Sequence, residues 1–464
     1  MRRLRTLVVA CWMVVAIAGP MAPTPVAAAP GAAAHAIDAT GASDVTAALQ
    51  GLIDRTPDGG VVRLQAHGTY RVEGTLVVEE RHRLTIEGNG ALIFATTPGD
   101  GTRSHLRIIG GSDLVVRGLG IRGANPHAGT DGAAYVPELE AQHGIRIEGA
   151  TDVELDRVRV SDVHGDFVYL GKHLEDDRWT ERVWVHDSTF ARSGRQGISV
   201  TGGRDIVIEH NTITDVRMAT IDLEPHPSFG AENIHILENS FGPVRLISFA
   251  ATGGGRVDNV VVARNTLRGQ ALRIIARPPD GTRRQRYWIV DNSSDTAANR
   301  TPLRFADIDG IVVTGNRQAV AGAGEALVEL TNTCGVSISG NDMKPGTLPF
   351  KGVGQPCAFG LPLAPPAAPM VAGRGQERAA AEPSPPSPTS TTTVPPTTGA
   401  PSTRPGTSPA RSVPTEAPPS TLDAEQASAD RDRGADSPWL PVVAGLLAAG
   451  LATWVSISER RSRR

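Results

Sequence analysis

The chain has 464 residues, of which 46 are Lys or Arg and 49 are Asp or Glu, giving a formal net charge of −3. Setting aside three arginines near the N-terminus and a short tail with four arginines and one glutamate takes that charge to −9. An acidic body excludes bulk electrostatic attraction to nucleic acid.

Residues 1–29 carry Arg2, Arg3 and Arg5, then the apolar run Leu7 to Ala18, then small residues at Ala27 and Ala29. That order is a secretory signal peptide, cut near Ala29 or Ala34, and Cys11 leaves with it. From Asp38 to Ala95 the spacing predicts a cap. Asp44 to Ile53 has helical periodicity behind an Asp N-cap, then come Gly59-Gly60 and strands at Val61–Leu64, Tyr70–Val72 and Leu76–Val78. A solenoid end needs such a lid.

The body, 35–360, is a repeat. Ile206 to Glu224 alternates apolar and polar residues at period two around Asn211, and copies follow at Ile234 to Phe241, Val260 to Leu267, Tyr287 to Ser293, Ile311 to Asn316 and Val336 to Asn341. Earlier copies place Val158 and Ser188 where the others have Asn211, Asn239, Asn265, Asn292, Asn316 and Asn341. Periods between about 20 and 50 residues mark solenoids or propellers. Strands this short, with Gly and Asn corners and no amphipathic helix, fit a single-stranded right-handed parallel β-helix of about ten coils, all-β apart from its cap. Asn suits the corner because it tolerates positive φ, and stacked Asn side chains can bond one another.

Between the coils that hold Leu114–Ile121 and Ile145 lies a long insertion, Gly123 to Gln142, read as a loop at a corner. Beyond Asn341, Cys334 and Cys357 are close enough in sequence to pair in a secreted protein, which would pin the last coil for about 2–4 kcal/mol. Residues 361–437 are rich in Pro, Ser, Thr and Ala and read as an extended stalk. Residues 438–457 are apolar and uncharged, long enough to cross a bilayer, and Arg460, Arg461, Arg463 and Arg464 follow in a cytoplasmic tail, 458–464. The expected location is the cell membrane, single-pass, with the repeat domain outside.

The phrase V-V-R-L-Q-A-H-G-T-Y-R-V at Val61–Val72, after a helix and a Gly-Gly turn, resembles the opening of the pectate-lyase-like β-helix superfamily, and the resemblance runs to about Asn341. It implies the fold. Leu223-Glu224-Pro225-His226 is similar to the D-P-H motif of alginate C5-epimerases and related lyases, in which a His and a nearby Tyr transfer protons. Here Glu224 replaces the Asp, and Ile221 stands at the upstream Tyr, so Tyr169 on a neighbouring coil is the substitute.

Aligning units on Ile145, Val168, Ile198, Ile221 and Phe249 brings side chains of successive coils onto one face, about 4.8 Å apart. The expected catalytic set is Asp166, Tyr169, Arg195, Arg217, Asp222, Glu224 and His226, with His143, His164 and Gln196 binding substrate. Guanidinium groups suit carboxylate recognition, carboxylates suit acid–base work or Ca²⁺, and Tyr or His can move protons. Each charge also has a bland reading as a solvated surface residue. The expectation is a monomer that binds, and modifies, an acidic polysaccharide, by lyase or C5-epimerase chemistry ahead of hydrolysis. The competing reading is a non-catalytic surface adhesin.

Overall fold

Each repeat folds as one coil of three short strands, seen in Gly203–Glu209, Thr212–Val216 and Ala219–Leu223. The computed structural model describes residues 32–33, 37–279, 281–321, 324–355, 357, 359–371 and 373–374. The signal peptide, most of the stalk, the apolar segment 438–457 and the tail lie outside the described residues. Among those described, no helix is long and apolar enough to cross a membrane.

Coil stacks on coil by parallel pairing, so three ladders run the length of the molecule. The first climbs from Val61–Arg63 to the second half of Ala326–Ser339, through about eleven coils. The second joins ten strands, from Thr40–Asp44 to Ser293–Ser294. The third starts at Leu76–Glu79 and ends at Leu348–Gln355. Ala326–Ser339 passes through both the first and third ladders and so merges them into one 22-stranded sheet.

Period-two alternation puts like residues in register inside. Val153, Val183, Ile206, Ile234, Val260, Tyr287 and Ile311 form one such column, all of them fully buried. The expected Asn ladder is present at the corner between first and second ladders. Asn211 Nδ2 donates to Asn239 Oδ1 at 3.1 Å, and the pattern continues through Asn265, Asn292, Asn316 and Asn341. Each Asn also donates to a carbonyl of the coil before, as Asn239 does to Ile208 at 2.9 Å. The corner's backbone groups are therefore satisfied from coil to coil.

The helix covers the N-terminal end with Leu49, Leu52 and Ile53 buried. It spans Thr46–Arg55, with Val45 at the N-cap, so the sequence-expected start at Asp44 is two residues early. Asp44 closes a strand instead, and its Oδ1 still accepts the Thr46 N–H at 3.0 Å. At the other end Cys334 and Cys357 are disulfide-bonded.

The expected stalk begins differently from its composition. Residues 359–371 and 373–374 lie back along the outer face of the first ladder, which carries an apolar stripe: Trp184, Val207, Val261, Trp288 and Val312. Trp288 Nε1 donates to the Pro362 carbonyl at 2.9 Å, and Val371 is buried in the stripe. Arg374 then grips Glu209 through Nε at 2.7 Å and Nη2 at 2.9 Å, both residues buried. A proline-rich segment suits this seat because it offers few backbone donors that would need partners there.

Candidate active site on the third ladder

The register expected from sequence holds: Ile145 pairs Val168, Val168 pairs Ile198, Ile198 pairs Ile221 and Ile221 pairs Phe249. With those residues facing in, Arg146, Tyr169, Ser199, Asp222 and Ala250 form the adjoining outward column. Short side chains at Ser199 and Ala250 flank Asp222.

Arg195 is the hub. Its Nη1 reaches both Asp166 oxygens at 3.0 and 3.2 Å, and its Nη2 reaches Glu224 Oε2 at 2.9 Å. Asp166 is wholly buried, so it depends on this cation and on the Gln196 backbone N–H at 3.0 Å. Burial alone would lower the Arg195 pKa, but the charges of Asp166, Glu224 and Glu140 reverse that and hold it well above its ordinary value.

Asp222 is 3% exposed. Gln196 donates Nε2 to its Oδ2 at 2.7 Å and accepts the Ala219 N–H at 2.6 Å. Asp222 Oδ1 is enclosed, and the carboxyl is also hydrogen-bonded to Glu224. Burial, followed by the charge of Glu224, pushes the Asp222 pKa well above the carboxylate range. The site thus sets a carboxyl whose pKa is pushed up beside an Arg-bound one, the difference acid–base catalysis uses.

His143 stacks on Tyr169 with ring centroids 4.7 Å apart. Burial drops the His143 pKa to about 4, so the ring is neutral. Its Nδ1 accepts the Asp166 N–H at 3.1 Å, which leaves the ring proton on Nε2. Tyr169 accepts a hydrogen bond from Thr201 Oγ1 at 2.8 Å, and burial raises its pKa.

The insertion overhangs the cluster as expected, and it supplies two residues outside the predicted set. Tyr135 donates to Glu140 Oε2 at 2.8 Å, and Glu140 lies 3.6 Å from Arg195 Nε. The loop is built to stay there. Asp131 accepts the Ala133 N–H, Asn125 Nδ2 bridges the Ala134 and Val163 carbonyls, and Arg245 Nη1 holds the Thr130 carbonyl. At Gly165 an added Cβ would sit 2.5 Å from the Glu140 carbonyl, so the close approach requires glycine.

Three predicted residues stay out of this network. His164 turns toward Arg103 and His105 on the N-terminal side, and burial lowers its pKa. His226 meets Phe229 edge-on at 5.6 Å and makes no hydrogen bond or ion pair with the cluster among the described residues. Arg217 lies nearer Arg245, Asp131 and Tyr135 than Arg195.

Of Asp222 and Glu224, the carboxylates expected to hold Ca²⁺, Glu224 is engaged by Arg195, which a cation there would have to displace, and Asp222 accepts from Gln196. A different group, Asp156, His186 and Asp187, has ligand atoms within 4.8 Å of one another. Asp156 already pairs with Arg117 at 2.9 Å and Arg157 at 2.5 Å, so positive charge competes with a metal there too.

Fold and repeat define a right-handed parallel β-helix protein. Residues 143–343 match the family described as the right handed beta helix region. A Bacillus subtilis (strain 168) protein, "Uncharacterized protein YclG", is 25% identical over 218 residues, covering 41% of this chain and only 36% of its own length. Endo-xylogalacturonan hydrolase from Aspergillus tubingensis superposes with a TM-score of 0.51 at 14% identity, covering 73% of this chain and 99% of that one. The A-module of a mannuronan C-5 epimerase from Azotobacter vinelandii covers 69% of this chain and 97% of its own, with a TM-score of 0.46 and 16% identity. The hydrolase likeness agrees with the fold and leaves the chemistry to the residues.

Proposed function

We propose that the protein binds a polysaccharide along the outer face of the third ladder and cleaves it by acid–base chemistry centred on Asp222. The observation that carries this reading is the buried Asp222 carboxyl, its pKa raised by burial and by Glu224, set against Arg195-bound Glu224. Asp222 would give its proton to the departing glycosidic oxygen. The carboxylate pair this leaves with Glu224, which is hydrogen-bonded to Asp222, would take up the proton released as water adds to the anomeric carbon, so that one bond breaks, one forms and the protons balance. The fold shared with a xylogalacturonan hydrolase makes polysaccharide the substrate class to test first.

Elimination or C5 epimerisation would also need a free cation at the carboxylate of the very sugar that Asp222 attacks. Arg195, the cation acting on Asp222, is engaged by three carboxylates, so hydrolysis has the fewest missing parts there. The signal peptide and the apolar segment 438–457 support display at the cell surface.

The test follows new reducing ends and unsaturated-sugar absorbance on a glycan panel, with wild type beside Asp222→Asn. Reducing ends that vanish in the variant support cleavage, and absorbance would assign elimination. A second reading, non-catalytic glycan binding, is favoured by the seal that Arg195 places over the carboxylates, its side chain being 16% exposed. Binding without turnover, with epimerisation checked by NMR, would select it.

A further inference from the structure

Arg217 and Arg245 stand on adjacent coils at the corner where the second ladder gives way to the third. Val216 pairs Val244 on one side of them, and Ala219 pairs Ile247 on the other. The two residues are therefore about 4.8 Å apart along the axis. Their neighbours are compensated: Arg192 pairs Asp162 at 2.6 Å, and Arg195 has its three carboxylates. Among the described residues, neither Arg217 nor Arg245 has a carboxylate within ion-pair distance.

Arg217 is half-buried, its Nε fully enclosed without a partner. Other arginines with an enclosed Nε, such as Arg103, Arg146 and Arg284, bond carboxylates or carbonyls through their remaining nitrogens. Arg217 has no such bond among the described residues. Burial, then the charge of Arg245, pushes its pKa down, while Asp131 and Tyr135 offset this only partly. Arg245 is fixed by its bond to the Thr130 carbonyl, so the pair cannot simply splay into solvent. Two fixed like charges, one of them partly desolvated, are short of an anion.

We propose that Arg217 and Arg245 form an anion subsite that takes a carboxylate or sulfate group carried by the polysaccharide, on the same coil as Asp222 and the next. The inference rests on the polysaccharide reading and adds that the glycan is anionic. An acidic protein body repels such a chain overall, so recognition must come from local uncompensated cations, and planar guanidinium groups suit both oxyanions.

The experiment titrates inorganic sulfate, a uronic-acid oligosaccharide and a neutral oligosaccharide into the full-length protein. Wild type is compared with Arg217→Gln, Arg245→Gln, the double variant, Arg217→Lys and Asp222→Asn. Sulfate should raise the wild-type melting temperature more than that of the double variant. The acidic oligosaccharide should lose about tenfold or more in affinity on each Arg→Gln change, the equivalent of one charge-assisted bond. Arg217→Lys should keep part of that affinity, and Asp222→Asn should bind as wild type does.

Acidic binding unaffected by the arginine variants would overturn the subsite, as would equal binding of the neutral sugar. In either case the polysaccharide reading would survive. Arginine-dependent binding with no cleavage would keep the subsite and sink the catalytic reading. No response to sulfate or to any sugar would overturn both. Arg217 has no partner to lose among the described residues, so Arg217→Gln should melt no lower than wild type, which serves as the folding control, whereas Arg245→Gln also gives up its bond to the Thr130 carbonyl.

Discussion

Gln196 donates its side-chain amide to Asp222 at 2.7 Å while its backbone N–H holds Asp166 at 3.0 Å, so one residue fixes two carboxyl groups in different surroundings. Asp166 is met by Arg195, whereas Asp222 is buried against Glu224, and burial and that neighbouring charge push its pKa up.

Asp222→Asn should therefore retain the fold and lose turnover. Its effect on stability depends on pH with a definite sign. A carboxyl whose pKa is raised on folding contributes fully below its unfolded pKa, and that contribution is lost as pH rises through the folded pKa. The variant's melting temperature should gain on wild type from pH 4 to pH 8. Thermal scans across that range decide it, and a wild type that gains on the variant at high pH would show Asp222 to be an ionised, stabilised carboxylate.

Arg195→Met should cost about 3–5 kcal/mol, because it strands the buried Asp166 charge. Arg195→Lys should recover only part, since an ammonium cannot span Asp166 and Glu224 as the two guanidinium nitrogens do. Chemical denaturation of the two variants gives the comparison. Equal losses would mean that shape, not charge, is what Arg195 supplies.

Gly165→Ala tests the loop. Its Cβ would fall 2.5 Å from the Glu140 carbonyl and 2.8 Å from His143 Nδ1, so Glu140 must move away from Arg195. A cost of about 1–3 kcal/mol is expected for such overpacking, together with faster proteolysis between residues 123 and 142. Cleavage elsewhere first would mean the overhang is held by other contacts.

Much of this was legible in the sequence because a solenoid repeats its spacing. Once Asn211 and its copies fix the corner, the register of Ile198, Ile221 and Phe249 follows, and with it the approach of Asp166, Arg195 and Asp222. The insertion does not repeat, so nothing in its spacing singled out Tyr135 and Glu140 as the residues that reach Arg195. Arg195 and Arg217 look alike in sequence. Only their surroundings, carboxylates for one and Arg245 for the other, separate them. The seat for residues 359–374 did leave a trace. Val183-Trp184-Val185, Ile206-Val207-Ile208, Val260-Val261-Val262 and Tyr287-Trp288-Ile289 break the period-two alternation, and unbroken apolar runs mark strands buried on both faces. Proline content drew attention to the chain's extension instead of its contacts.

That seat leads to the last prediction. Trp184 and Arg374 both bond Glu209, at 2.9 Å and 2.7 Å, and Glu209 is buried. Arg374→Ala leaves that carboxylate with the indole N–H alone, which should cost about 3–5 kcal/mol at this contact and free the segment behind it. Truncation after Gly360 should go further and bare Trp184 and Trp288 to water. Tryptophan emission should shift to the red in both proteins, more in the truncated one, and Trp184→Phe should reduce the shift. Because the segment spans several coils, its release should also lower the melting temperature of the coils between Glu209 and Trp288, where each coil leans on its neighbours. An unchanged spectrum in the truncated protein would mean the apolar stripe is covered without residues 361–374, and the segment would then be free stalk from its first proline onward.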